Sequence, residues 1–171
     1  MAEPSDAGPA PSGAPRPQLV INAQYVKDLS FENPRAPQSL LQQQGPPPEV
    51  QINVDVQAGT FTAEIYEVIL TIRANAKQGA DNFFVVELVY GAVVTLTNTP
   101  PEEIPPAILI EGPRLMWPFA RAILAQVTSN GGFAPLLLNP IDFTDIYNRR
   151  KAAGQAPVLA PAPASPGPIT V

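Results

Sequence analysis

The stretch YVKDLSFENPRAP, residues 25–37, joins an alternating strand pattern to a proline-rich turn. Side chains on a strand point to opposite faces in turn, so one face carries Tyr25, Lys27, Leu29 and Phe31, and the other carries Val26, Asp28, Ser30 and Glu32. Prolines 34 and 37 end the strand because proline donates no backbone hydrogen bond to a sheet. Asp28 and Glu32 are therefore predicted to share one face, roughly 13 Å apart at about 3.3 Å per residue.

The composition predicts one folded domain between two tails. The chain has 171 residues, 45% of them apolar, which is enough for a domain with a real core. Residues 1–17 and 155–171 each carry five prolines among small residues, and such segments bury too little apolar surface to fold. We therefore predict disordered tails at 1–17 and 155–171 and a single domain over residues 18–154.

The charge and the missing residue types exclude several classes of function. A net charge of −5 and a pI near 4.6 disfavour nucleic acid as a partner. The chain has no cysteine and no histidine, which excludes disulfides, Cys/His zinc sites, and Ser-His-Asp or Cys-His catalysis. No secretory signal pattern opens the chain, and no apolar run reaches the roughly 20 residues that span a bilayer. We expect a cytoplasmic protein that has no metal or cofactor, is not an enzyme and does not insert into a membrane.

Four strands are predicted, followed by helices. The strands are expected at residues 18–32, 49–59, 61–77 and 83–96, with Gly91 as a bulge or bend in the last. A segment broken by prolines is expected at 100–113, and a helix follows at 114–132. An extended connector is expected at 133–140, and a capped helix at 142–154. Strands followed by helices indicate an α+β fold, in which helices cover one side of a four-stranded antiparallel sheet.

The predicted elements carry more apolar surface than these helices can cover. The third and fourth strands are nearly apolar on both faces, and two short helices cover about one face of the sheet. A monomer that left the rest bare would expose a patch beyond the few hundred Å² usual for monomers. The pattern favours an oligomer, an apolar groove for a ligand, or both, unless one core absorbs all of this surface.

Five stretches resemble the SecB family of bacterial protein-export chaperones in order and spacing over residues 19–152. They are YVKDLSFENPRAP (25–37), EVQINVDV (49–56), YEVILTIRANA (66–76), FFVVELVYGAVVTL (83–96) and LMWPFARAILAQVTSNGGFAPLLLNPIDFTDIY (115–147). The resemblance implies a homotetramer, a dimer of dimers, that holds unfolded precursor proteins and delivers them to the ATPase SecA. Two alternatives stay open: a SecB-like chaperone of a toxin–antitoxin system, and a small-ligand-binding antiparallel β protein.

The resemblance also implies a docking site for SecA. The matching positions are Asp28, Glu32, Val85 and Glu87. Exposed carboxylates on a rigid sheet steer a basic partner and set its register, which suits this role. The alternative is that these are ordinary solvated charges on a strand.

Client-binding and assembly residues are likewise implied by the resemblance. The client-groove candidates are Leu40, Leu41, Ile52, Val54, Phe143 and Tyr147, and the oligomer-interface candidates are Val86, Leu88 and Tyr90. From their chemistry alone, both sets are equally consistent with a monomer core. One departure is the segment QQQGPPPEV (42–50), which lacks the tryptophan that family members often carry before PEV.

Overall fold

The computed structural model of the protein describes residues 16–41, 48–79, 81–155 and 159–161. The strands are β1 (Gln18–Glu32), β2 (Glu49–Thr60), β3 (Ile65–Gln78), β4 (Asp81–Thr97) and β5 (Ala160–Pro161). The helices are α1 (Gln38–Leu41), α2 (Ile104–Pro106), α3 (Gly112–Asn130) and α4 (Phe143–Ala152), and a π-helical turn at Ala107–Glu111 joins α2 to α3. The predicted α+β order is confirmed.

The strands form one sheet in the order β1-β4-β3-β2-β5. The four long strands pair antiparallel, and β5 adds a short parallel pairing to the end of β2. We call the face under α3 the inner face and the opposite face the outer face. On the inner face, alternate residues of β3 and β4 are fully buried: Val68, Leu70, Ile72, Val86, Leu88 and Val94. The intervening outer-face residues are polar or only half-buried.

The helix α3 crosses the inner face from β3 to β1. At its start, a Cβ on Gly112 would lie 3.2 Å from Val68, so the helix backbone approaches β3 closely. At its end, Gly131 lies against the ring of Phe31 on β1. That ring stacks on Phe84 with centroids 5.7 Å apart. An apolar cluster therefore ties the end of α3 to the two strands that carry the predicted docking residues.

The strand β1 has two bulges against β4. The register shifts between Ile21 and Ala23 and again between Val26 and Asp28. A bulge places an extra residue in one strand, and one extra residue inverts the side-chain alternation beyond it.

The second bulge corrects the predicted alternation of residues 25–37. Tyr25 pairs with Gly91 and therefore lies on the outer face, the same face as Asp28. Val26 pairs with Tyr90 on the inner face. The prediction is right from Asp28 onwards and wrong before it, because it assumed an unbroken strand.

The connector and α4 close the inner face beside β2. Thr128 Oγ1 accepts a 2.9 Å hydrogen bond from the Leu136 backbone and so holds the connector against α3. Asp142 caps α4, as predicted, by accepting from the backbone nitrogens of residues 144 and 145. Arg150 pairs with Asp55 and donates to the Val56 carbonyl oxygen. These contacts fix α4 on β2.

Other predicted boundaries need correction. Residues 38–41, between the first two strands, form the short helix α1. Short helical segments occupy residues 104–111, and α3 covers Gly112–Asn130 rather than residues 114–132. Ala160 and Pro161 pair with β2, so the predicted C-terminal tail is not structureless at these two residues. The predicted N-terminal tail up to residue 15, and residues 42–47 of the segment without a tryptophan, lie outside the described residues.

Candidate functional site

Three carboxylates come together on the outer face where β1 lies beside β4. Ser30 pairs with Glu87 and Glu32 pairs with Val85, while Asp28 lies two residues before Ser30 on the same face. Asp28 and Glu32 are thus diagonal neighbours of Glu87, about 7–8 Å away between Cα atoms. We give the name acidic patch to the five residues Asp28, Ser30, Glu32, Val85 and Glu87. It unites the four residues predicted for docking on two paired strands.

Glu87 is held by Arg73 on the adjacent strand β3. Arg73 Nη2 lies 2.9 Å from Glu87 Oε1, and Arg73 Nε lies 2.8 Å from Oε2. The hydrogen bond from Arg73 holds the pKa of Glu87 below its ordinary value. Among the described residues, neither Asp28 nor Glu32 forms an ion pair. Two of the three acids are therefore available to a basic partner without breaking an internal bond.

A buried carboxylate, Glu67 of β3, lies on the same outer face and is 6% exposed. Tyr25 donates its hydroxyl hydrogen bond to Glu67, and Lys27 Nζ donates to the same oxygen at 2.9 Å. Burial by itself raises the pKa of Glu67, but these two hydrogen bonds and the lysine charge outweigh it, so its pKa lies below the ordinary value. Burial, together with this carboxylate, raises the pKa of Tyr25 well above its ordinary value.

Because Gly91 has no side chain, the ring of Tyr25 can cross β4 and reach β3. A Cβ at residue 91 would lie 2.5 Å from Cζ of Tyr25, which no real side chain tolerates. A bulge or bend was predicted at Gly91, and the bulge is wrong, because the pairing of Gly91 with Ile69 lies in a regular part of the β3–β4 register. The glycine is instead required by the close approach of the Tyr25 ring.

An open apolar groove lies on the inner face between β2 and the connector. It has a volume of about 360 Å³ and is lined by Ile52, Val54, Trp117, Leu138, Asn139, Pro140, Ile141 and Ile146. Ile52 is 46% exposed, whereas Trp117 is buried and forms a fixed wall. The indole of Trp117 donates to the Asn139 carbonyl oxygen at 3.2 Å and contacts Phe143 edge to face.

The groove runs beside an open edge of the sheet. The strand β5 pairs only with Gly59 and Thr60, and Arg150 covers the carbonyl oxygen of Val56. Within the described parts of the chain, no strand pairs with this edge of β2 between Glu49 and Val54. Unpaired N–H and C=O groups beside an apolar groove suit an extended polypeptide, which adds as a strand and buries alternate side chains.

The six predicted client-groove residues do not form one site. Ile52 and Val54 line the groove. Phe143 is 1% exposed and packs against Trp117, so it supports the groove wall from within the core. Its role as a client contact stays a prediction. Tyr147 lines a separate small cavity of about 10 Å³ beside Arg150.

Leu40 and Leu41 lie away from the lining of the groove, on α1. Leu40 packs over Gly132 at the end of α3, and Leu41 is 78% exposed. They are accessible to a client, but they do not line the groove beside Ile52.

The predicted interface residues Val86, Leu88 and Tyr90 are buried within one chain, at 0%, 0% and 6% exposure. They lie on the inner face of β4, under α3. This burial agrees with the alternative of a monomer core. Their role in assembly stays a prediction.

Metal-binding clusters and membrane-spanning helices are both absent from the described residues. No group of three or more acidic side chains there is arranged to hold a metal ion. No helix in the same part of the chain is long and apolar enough to cross a membrane.

Sequence reasoning missed Tyr25, Lys27 and Glu67 as a cluster, and Trp117 and Leu138 as groove residues. A signal for the cluster existed: Glu67 is an acid within an otherwise apolar stretch of strand, and such a group needs a partner when it is buried. Nothing in the sequence indicated that the partners come from a strand two positions away in the sheet. That neighbourhood follows from the strand order and the bulge.

An apolar groove beside a sheet edge that no described strand covers, with an acidic patch on the opposite face, is typical of the class of proteins that bind other polypeptides. Comparison with known proteins then identifies the family. A family model described as preprotein translocase subunit SecB matches residues 12–154. The chain belongs to the SecB family.

Relatives agree with this assignment, and a solved structure shares the fold. Protein-export protein SecB of a Bradyrhizobium species is 48% identical over 91% of this chain and 97% of its own length. The protein of the same name from Paramagnetospirillum magneticum is 50% identical over 80% of this chain and 87% of its own. A Mycobacterium tuberculosis SecB-like chaperone, solved with an antitoxin peptide, is 14% identical and matches with a TM-score of 0.60 over 72% of this chain and 90% of its own, which shows the shared fold.

Proposed function

We propose that this protein is a cytoplasmic chaperone of preprotein export, which binds unfolded precursor proteins and delivers them to SecA. The observation that carries the proposal is the half-exposed Ile52 in an apolar groove beside the unpaired edge of β2. Family membership and 48–50% identity to proteins named protein-export protein SecB support it. The protein acts by binding and catalyses no reaction of its own.

Client capture uses two complementary interactions. An extended precursor segment hydrogen-bonds through its backbone to the free edge of β2, a contact that does not depend on its sequence. Alternate client side chains then enter the groove between Ile52 and the Trp117 wall. Burying one Leu-sized side chain contributes about 1.5–3 kcal/mol, so each site binds weakly and several sites together hold an unfolded chain.

SecA docking uses the acidic patch on the opposite face. A basic segment of the partner approaches Asp28 and Glu32, which are exposed, and then competes with Arg73 for Glu87. Charges of this kind raise the rate of association and fix the orientation of the partner more than they raise affinity. Since the groove and the patch lie on opposite faces of the sheet, a client and SecA bind at the same time.

The homotetramer covers the apolar surface that one chain leaves exposed. On α3, Leu115 and Phe119 are 48% and 53% exposed, and on the edge strand β1 Val26 is 46% exposed. We assign both surfaces to contacts with further copies of the chain, because a helix face and an open sheet edge give a dimer of dimers two distinct interfaces.

The alternatives have less support. The relatives at 48–50% identity are named for protein export, whereas the chaperone solved with an antitoxin peptide is only 14% identical. A small-ligand carrier needs an enclosed pocket, and the groove is open along one side of β2.

The client site is tested with the full chain and a denatured secretory precursor. Ile52→Asp is expected to weaken capture at least tenfold, measured as suppression of precursor aggregation and by fluorescence anisotropy. Phe61→Asp is the matched control, because Phe61 is 49% exposed but lies in the β2–β3 turn outside the groove. Unchanged capture by Ile52→Asp, or equal loss in both variants, overturns the groove assignment.

The docking site and the assembly are tested separately. Asp28→Ala with Glu32→Ala is expected to weaken SecA binding while client capture stays intact, and added salt is expected to weaken SecA binding more than client capture. Equal loss of both activities contradicts the docking role. Light scattering is expected to give four times 18.2 kDa, and Leu115→Asp with Phe119→Asp is expected to give dimers.

A further inference from the structure

We infer that Tyr25, Lys27 and Glu67 are positioning residues that hold the second bulge of β1 and thereby place Asp28 and Glu32 on the outer face. The inference rests on the proposed docking of SecA for its functional consequence. Its structural content, that this cluster sets the register of β1, is independent of any partner.

The bulge decides which face carries the acids. Before it, Tyr25 lies on the outer face opposite Gly91; after it, Asp28 lies on the outer face opposite Val89. Without the extra residue, and with Tyr25 still over Gly91, Asp28 would stand opposite Leu88 and point to the inner face. The same one-residue shift would turn the inner-face residues at the end of β1 to the outer face.

The cluster ties the bulge to the centre of the sheet. Lys27, at the bulge, reaches across β4 and donates to Glu67 at 2.9 Å, and Tyr25 donates to the same oxygen. Glu67 belongs to β3, which is paired with β4 along one edge and with β2 along the other. Gly91 supplies the gap through which the Tyr25 ring crosses. Charge-assisted hydrogen bonds on a buried carboxylate are among the stronger polar interactions in proteins.

Because Glu67 is a buried charged group, we assign the cluster to setting the register of β1 more than to stabilising the fold. Glu67 is flanked on the outer face of β3 by Ile65 and Ile69, which are only half-buried. Well-packed apolar residues in place of a buried ion pair are often neutral or stabilising, whereas a polar pair fixes one arrangement among several. A lysine that must reach one carboxylate specifies a single register.

The first bulge of β1 provides the matched control. There, Asn22 Nδ2 donates to Thr95 Oγ1 at 2.6 Å, and this bond is exposed and remote from the acidic patch. Asn22→Ala therefore removes a polar contact at a bulge of the same strand without touching the cluster.

The experiment compares Lys27→Met with Glu67→Leu, Tyr25→Phe, Lys27→Arg and Asn22→Ala in the full chain. Because the chain has no cysteine, a pair introduced by Asp28→Cys and Val89→Cys reports the native register through disulfide formation. We expect the Lys27→Met with Glu67→Leu background to slow this disulfide at least tenfold, Tyr25→Phe to slow it less, and Lys27→Arg and Asn22→Ala to leave it unchanged.

In the chain without introduced cysteines, SecA affinity is expected to fall about tenfold in the double variant while client capture stays near the parent value. The thermal midpoint is expected to fall as well, because the slipped register withdraws Phe31 from its stack on Phe84. An unchanged disulfide rate in both the double variant and Tyr25→Phe, or the same loss in Asn22→Ala, overturns the inference. If the parent chain does not bind SecA, the docking proposal fails, and the disulfide rate still decides whether the cluster sets the register.

Discussion

Arg73 holds Glu87 in a bidentate ion pair across β3 and β4, with nitrogen–oxygen distances of 2.8 and 2.9 Å. Glu87 is one of the three acids of the acidic patch, so the chain itself supplies a cation to the surface that we assign to a basic partner. Arg73 and that partner compete for one carboxylate. The internal pair therefore weakens docking by the free energy needed to break it, which is small for a pair exposed to solvent.

Arg73→Gln is expected to strengthen the docking of SecA about two- to fivefold at low salt, because Glu87 is then free and the patch gains negative charge. Titration calorimetry at two salt concentrations measures the effect. Arg149→Gln is the matched control, since it removes an arginine that pairs with Asp145 on α4, away from the patch. An equal gain in both variants would assign the effect to net charge and not to the release of Glu87.

Gly91→Ala is expected to destabilise the fold by about 1–3 kcal/mol, because the new Cβ displaces the ring of Tyr25. Denaturant unfolding at one protein concentration measures the loss. In the presence of Tyr25→Ala the same substitution is expected to cost much less, since the clashing ring is gone. If the losses of free energy of unfolding add in the double variant, Gly91 is required by the backbone of β4 and not by the ring of Tyr25.

The order of elements was predictable because it depends on local periodicity. The alternation at residues 49–59 indicated β2, and Asp142 marked the start of α4, where its carboxylate accepts from two backbone nitrogens as predicted. The acidic patch was also predictable in part: Asp28 and Glu32 share a face whether or not the strand begins regularly.

The features of the fold and the site that could not be predicted depend on packing between segments distant in sequence. The bulge before Asp28 leaves no mark in the alternation, since residues 25–32 fit an unbroken strand equally well. Val86 and Phe143 are apolar residues whose burial in one chain or between chains cannot be told from periodicity. The position of α3 over the inner face decided both, and that position follows from the close approach of Gly112 to Val68.

Phe143→Ala is expected to destabilise the protein by about 3–5 kcal/mol, because it leaves a cavity beside Trp117 in the core. Leu41→Ala is the contrasting variant, since Leu41 is 78% exposed, and its stability is expected to change by less than about 0.5 kcal/mol. Denaturant unfolding compares the two. A stable Phe143→Ala variant that fails only in client capture would instead support Phe143 as a client contact.

The carboxylate of Glu67 makes the stability of the fold depend on acid pH. The pKa of Glu67 is lowered in the folded protein, so its contribution is fully present above the unfolded value of about 4.3 and is lost as pH falls through the lower folded pKa. Glu67→Gln is therefore expected to be less stable than the parent chain at pH 7, by about 1–3 kcal/mol.

The difference in free energy of unfolding between Glu67→Gln and the parent chain, here called the gap, is expected to shrink below about pH 4. There the parent carboxyl also becomes neutral. Denaturant unfolding from pH 7 to pH 3 at one protein concentration measures this gap. Glu87→Gln is the control, because Glu87 also has a lowered pKa but is more exposed, so its gap is expected to be smaller throughout. A gap for Glu67→Gln that stays constant with pH would mean that the shape of residue 67 stabilises the cluster, and that its charge does not.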